Sequence, residues 1–429
     1  MNRLRDWGPR AVALAGFAGY ALLVPPGPSG AESTELGAAG FLLGSPHATG
    51  FPLVVMLAKL ATLVPVGEIG FRVHLLAAAC AAAAMLWTAR LVAAAAGARG
   101  QSSAAVIGGM VAALMVGVTV GFARQATHAG AIAPTVALLA ATLLLFDRVA
   151  RGGDAGTGML LALLVGLGLG AHPGYRLLVP LPLAALLWIR LRRGARWPLA
   201  APLVVIAVAA ALQLYLPVRS ATGRAWAADR DHPRDLASLG EHVLGPPIGL
   251  PADAAGAAMR SAAAALDEIG ALGMLAAVAG ALWLLAERRS RWLLLLLASA
   301  AAADAVGVAG QAGALSALVL ATLAGVGIAW LGRFAGARAG AALTASAGVM
   351  ILVAPFLVTW HAARAADVAA TRAADVAALP ESGPKGRPTA RSRPADELAV
   401  RARNRAAADH QIRTRLSGAR NSASSALGW

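Results

Sequence analysis

Blocks of apolar residues, each close to the length of a bilayer's hydrocarbon core, recur along this chain, and arginines gather at their ends. The blocks lie near residues 9–25, 71–96, 103–121, 129–146, 157–171, 174–190, 198–217, 268–286, 291–309, 312–332 and 340–360. A helix needs about 20 apolar residues to cross the hydrocarbon, and only helices and closed barrels satisfy their own backbone in lipid. The blocks therefore read as membrane-spanning helices. Of the 429 residues, 58% are hydrophobic and 14% charged. One soluble core could not hide so much apolar surface.

The formal net charge of +16 does not point to nucleic acid. The arginines sit between apolar blocks and in the C-terminal stretch, not on a soluble basic face. They orient the chain instead. The block at 51–66 is short, interrupted by Lys59 and bounded by Pro52 and Pro65. If it lies along the membrane surface, the clusters around Arg10, Arg90, Arg148, Arg193, Arg289 and Arg333 all fall on the cytoplasmic side; if it spans, most fall outside. It is expected as an interfacial helix.

The expected fold is an all-α polytopic membrane protein. Its transmembrane domain, residues 1–360, holds about eleven transmembrane helices and starts in the cytoplasm of a bacterial-type inner (plasma) membrane. Two extracytoplasmic loops are long, 26–70 and 218–267. Residues 361–429 read as a basic, partly disordered tail. Arg3, Arg5 and Arg10 precede what is expected to be an uncleaved first span. The lone Cys80 allows neither an intrachain disulfide nor a cysteine metal site.

The first loop carries the chemistry. A short helix is expected to start near Ser29, which puts Glu32 and Glu35 on one face. Two carboxylates at a membrane boundary suit proton abstraction from a hydroxyl, orientation of that hydroxyl, or a divalent cation. Ser29-x-x-Glu32 equally fits a capping box, in which Glu32 only satisfies a backbone amide. His47 stands between Pro46 and Gly50 and has a bland reading as an ordinary loop histidine.

The stretch Glu32-Ser33-Thr34-Glu35, followed by Gly44-Ser45-Pro46-His47-Ala48-Thr49-Gly50-Phe51-Pro52-Leu53, resembles the opening motif of the protein O-mannosyltransferase-like family of GT-C glycosyltransferases. Gly70-Phe71-Arg72-Val73-His74-Leu75-Leu76 is similar to the start of that family's second span. Tyr215-Leu216-Pro217-Val218-Arg219 resembles its Tyr-Leu-Pro-x-Arg element. The chain departs from the pattern in carrying Glu32 for an aspartate, Ala48-Thr49 for a double proline, and Gly130 or a neighbour where an acid is expected after the third span.

The resemblance implies a GT-C-like bundle with interfacial helices in the first loop. It implies transfer of a sugar, expected as mannose, from a polyprenyl-phosphate donor among the membrane lipids to an extracytoplasmic protein Ser/Thr or a glycan. Glu32 and Glu35 are the expected catalytic residues, and His47, Arg124, His172 and Arg219 the expected contacts to donor phosphate or substrate. No metal site is expected from the residues, although a divalent cation would suit the two carboxylates. Simpler roles stand beside these: a snorkelling Arg124, a capping His172, and Arg219 as a headgroup anchor. The rivals are an inactive relative serving as a membrane scaffold, and a transporter. A transporter predicts ionisable residues in mid-span, where Asp304 is nearly alone.

Overall fold

The computed structural model describes residues 2–46, 51–97, 102–172, 175, 200–221, 237–239, 254–287, 291–305, 314–333, 339–350 and 352. The expected span at 174–190 (apart from Tyr175), the tail, and His47 lie outside the described residues.

The longer described helices are α1 Asn2–Leu23, α2 Ala31–Leu42, α3 Pro52–Thr62, α4 Ile69–Ala96, α5 Ser103–Val118, α6 Val120–Thr127, α7 Ile132–Ala150, α8 Ala155–Leu169, α9 Ala200–Ala221, α10 Ala254–Ala286, α11 Arg291–Ala305, α12 Ala314–Gly332 and α13 Ala339–Met350. Among the described residues there is no strand. Among the described residues, five helices are long and apolar enough to cross a membrane: α4, α7, Leu203–Ala221 of α9, Ile269–Ala286 of α10, and α12. The α5–α6 pair, bent by 72°, makes a sixth if it is one span. The described residues are thus all-helical, with the apolar spans of an integral membrane protein.

Local chemistry explains the departures from the expected boundaries. The connection at 122–128 is helical, because the chain breaks only at Thr119 (φ −61°, ψ 132°) before resuming as α6. The Thr119 hydroxyl donates to the Val116 carbonyl, a group the break leaves without its helical partner. The block expected from 268 is the second half of a longer helix kinked at Gly270, whose φ of 69° suits a residue without a Cβ. At 11 residues, α3 is about 16 Å long, too short to span.

Glycine contacts between helices fix their directions. A Cβ at Gly109 would sit 2.2 Å from the Ala89 carbonyl oxygen, so α5 returns along α4 at backbone contact. Gly108 meets Gly325 and Ala329 while Gly325 meets Ala112, which makes α12 antiparallel to α5. Gly280 meets Gly327 and Trp283 stacks on Trp330, which makes α10 and α12 parallel. Close small-residue crossings of this kind hold helices together in lipid. From α1, the Tyr20 hydroxyl donates to the Gly117 carbonyl at 2.6 Å.

The bundle therefore has two distinct ends. At one, Arg90 of α4 lies within electrostatic reach of Arg10 of α1 and Arg148 of α7. Guanidinium groups there lie over indoles: Arg10 over Trp7, Arg90 over Trp87 and Arg333 over Trp283, each between 5.1 and 5.4 Å from the ring centroid. The other end gathers α2, α3, α6, the first turns of α4 and α7, residues 170–172 and the last turns of α9.

Candidate functional site at the loop end of the bundle

A small apolar core of its own underlies this second end. Leu36 and Ala39 of α2, Phe51, Val54, Val55 and Ala58 around α3, Val73 of α4, Ala129, Ala131 and Ala171 are buried together, with Tyr215 of α9 packed against them. Each large side chain of such a set is worth about 1.5–3 kcal/mol when taken from water. Helices α2 and α3 cross closely, since a Cβ at Gly40 would lie 2.6 Å from the Ala58 Cβ.

Helix α2 begins differently from a capping box. Its N-cap is Gly30 (φ 81°), which has no side chain to receive an amide. Ser29 meets Ser33 instead: the Ser29 N–H donates to the Ser33 hydroxyl oxygen at 3.1 Å, and that hydroxyl donates to the Ser29 carbonyl. Glu32 then falls in the first turn, where the helix dipole favours a negative charge. Glu32 and Glu35 are both half-buried and flank the buried stripe Ser33, Leu36 and Gly37.

The Glu32 carboxylate faces the loop between α6 and α7. A Cβ built on Gly130 would stand 3.0 Å from Glu32 Oε1 and 3.5 Å from Gln125 Oε1. Gly130, the position where an acid was expected, is instead the opening that the longer Glu32 side chain occupies.

His74 ties this loop to the first one. It is fully buried, the Ala129 N–H donates to its Nδ1 at 2.8 Å, and its Nε2 lies 3.2 Å from the Gly27 carbonyl oxygen. Since Nδ1 accepts, the proton sits on Nε2 and is donated to Gly27. The His128 ring stands edge-on to His74 at 5.8 Å. The backbone of loop 26–30 lies directly on α4, because a Cβ at Gly70 would come within 2.6 Å of Pro28 N. Arg72 fastens the neighbouring turn by donating to the carbonyls of Thr62, Val66 and Gly67 at 2.7 to 3.0 Å.

The segment containing His47 is bracketed by two residues in the left-handed region, Leu43 (φ 55°) and Phe51 (φ 42°). Such conformations cost about 1–3 kcal/mol each and persist where surroundings impose them. Before the segment, Arg219 donates from Nε to the Leu43 carbonyl and from Nη2 to that of Leu42, both at 2.9 Å, and the Tyr215 hydroxyl donates to the Gly44 carbonyl at 3.2 Å. After it, the Phe51 ring stacks on the buried His172 at 5.8 Å, and the Leu53 N–H donates to the Gly170 carbonyl at 3.0 Å. His172 and Arg219 are thus brought to the two ends of the His47 segment. Arg124 is exposed on α6.

Among the described residues, no three His, Cys, Asp or Glu side chains come together as a metal site. Sequence reasoning singled out neither His74 nor the Tyr215 hydroxyl as a site group. An ionisable residue inside an apolar run was the available signal for His74.

Residues 32–196 match the family model described as Protein O-mannosyl-transferase TMEM260 N-terminal domain. The matched stretch opens on Glu32 and includes Arg124, Gly130 and His172, whereas Arg219 lies beyond it. Over this stretch the chain is similar to a protein O-mannosyltransferase family.

Proposed function

We propose that this O-mannosyltransferase-like protein is a GT-C-type enzyme moving mannose from a polyprenyl-phosphate donor to a Ser/Thr hydroxyl of an extracytoplasmic protein. The observation that carries the reading is the Glu32 carboxylate, held on the first turn of α2 against Gly130 at the end of the bundle remote from the Arg10–Arg90–Arg148 group. The positive-inside rule assigns the basic end to the cytoplasm and the Glu32 end to the outer face of the plasma membrane. Exposed Leu60, Leu63, Val64 and Val66 at the end of α3 support contact of that helix with the outer membrane surface, where a lipid-borne sugar resides.

The acceptor oxygen attacks the anomeric carbon as the bond from that carbon to the phosphate oxygen breaks. The bonding pair leaves with polyprenyl phosphate, and Glu32 takes the hydroxyl proton. Glu35, one turn along the same face, orients the acceptor. Arg124 offers a guanidinium to the leaving phosphate, where negative charge develops. His47 and His172 belong to the substrate-binding side. Arg219 acts first through the C-terminus of α2, on which two of its donors are engaged.

The test is release of polyprenyl phosphate from polyprenyl-phosphate mannose by purified protein with a Ser/Thr-rich peptide. Glu32→Gln is expected to lower the rate by about 10² to 10⁴, the usual contribution of a general base. An unchanged rate in the Glu32→Gln/Glu35→Gln double variant removes both residues from the chemistry.

A further inference from the structure

His74 hydrogen-bonds to both segments flanking the Glu32 carboxylate. Through Nε2 it holds Gly27, four residues before the start of α2, and through Nδ1 it holds the amide of Ala129, next to Gly130. We infer that His74 is a positioning residue for Glu32: a neutral imidazole that sets the spacing between the first turn of α2 and the 128–131 loop, and thereby the place of the carboxylate. The inference rests on the transfer reaction proposed above, and it adds a residue that never touches substrate.

The chemistry of the ring makes the clamp specific. Only the neutral Nε2–H tautomer can accept from Ala129 and donate to Gly27 at once. A proton on Nδ1 turns the acceptor into a donor facing another donor, and the Ala129 bond is lost. The ring is fully buried, so no water replaces the missing partner at low cost. The ionisable groups around it are His128, the extended residue that follows α6, edge-on at 5.8 Å, Glu68 from the turn before α4, with its carboxylate against Gly27, and Glu32 itself beyond Ala129. Arg72 on the same helix is engaged with the α3–α4 turn.

Two isosteric variants split the clamp. The amide oxygen of His74→Asn occupies the place of Nδ1 and can still accept from Ala129. The amide nitrogen of His74→Gln occupies the place of Nε2 and reaches only Gly27. His74→Leu removes both bonds.

The experiment measures mannosyl transfer, with polyprenyl-phosphate mannose and the Ser/Thr-rich peptide, alongside amide hydrogen exchange over residues 125–135. His74→Leu and His74→Gln are expected to lower kcat about 10²-fold, the scale of a misplaced catalytic group, with KM for the donor little changed. His74→Asn is expected to keep most of the rate. Exchange at Ala129 should quicken in the Leu and Gln variants and not in Asn. Wild-type kcat in His74→Leu, or equal loss in Asn and Gln, overturns the inference. If the wild-type protein transfers no mannose, the proposed reaction fails, and the Ala129 exchange pattern alone decides whether the clamp exists.

Discussion

The two ends of this bundle use polar side chains in opposite ways. At the basic end, Arg10 and Arg90 lie over neighbouring indoles on their own helices, and Arg333 over an indole of a parallel neighbour, contacts that suit a membrane interface and tolerate displacement. At the loop end, His74, Arg219, Tyr215 and Arg72 reach into backbone carbonyls and amides of other segments, at distances that fix a loop in one position. The first pattern anchors a protein in its bilayer. The second suits the site proposed for the loop end, because a hydrogen bond to backbone sets geometry where a surface charge sets only depth.

That contrast breaks if the loop end tolerates a change of shape. Gly130→Val places branched carbon where Glu32 Oε1 already stands 3.0 Å from a bare Cβ. Transfer activity is expected to fall about 10²-fold through displacement of the carboxylate. The overpacking itself costs about 1–3 kcal/mol, so the variant should still purify as a folded protein. Wild-type turnover in folded Gly130→Val would mean that Glu32 need not sit where it does.

A matched pair of arginine substitutions sharpens it. Arg219→Met leaves the carbonyls of Leu42 and Leu43 without their charged donors, at a cost of about 1.5–3 kcal/mol per bond before allowing for partial exposure. Faster amide exchange at the C-terminal end of α2 and lower turnover are expected. Arg90→Met at the other end removes one half-buried cation–π contact, worth about 0.5–2 kcal/mol, and should leave turnover unchanged. Equal responses from the two variants would erase the distinction between anchor and site.

Much of the scaffold was legible in hydropathy, because spans such as α4 and α12 are set by one local property over about 20 residues. The carboxylate pair was legible for the same reason, since Glu32 and Glu35 share a face by helical spacing alone. Helix α6 was not, because Gly121-Phe122-Ala123-Arg124-Gln125 has the polarity of a connection, and the 72° bend before it comes from an extended Thr119 rather than from Gly or Pro. A helix starting near Ser29 was legible, but its cap was not, since nothing local tells whether a Ser-Gly pair caps through a hydroxyl or through the backbone freedom of glycine. The partners of His74 and Arg219 were beyond reach, being backbone atoms 47, 55, 176 and 177 residues away in the chain. Gly130 was noticed only as a missing acid, and its meaning depends on which side chain fills the space.

The smallest expected effect lies at the basic end, at the turn between α7 and α8. Asp154 caps α8, with its carboxylate accepting from the Thr157 hydroxyl at 2.6 Å and the Thr157 N–H at 2.8 Å. These two bonds, the hydroxyl first, hold the Asp154 carboxyl below its ordinary range. A depressed carboxyl contributes stability that is fully present above the unfolded-state value and is lost as pH falls through the lower folded-state value. Amide exchange in the first turn of α8 should therefore quicken on acidification in the wild type and be fast and nearly pH-independent in Asp154→Ala, once intrinsic exchange is subtracted. Mannosyl transfer at neutral pH should not respond, because this turn shares no hydrogen bond with the loop end. A loss of transfer in Asp154→Ala comparable to that in Arg219→Met would mean that the two ends are mechanically coupled along α7 and α8, and that the basic end does more than anchor.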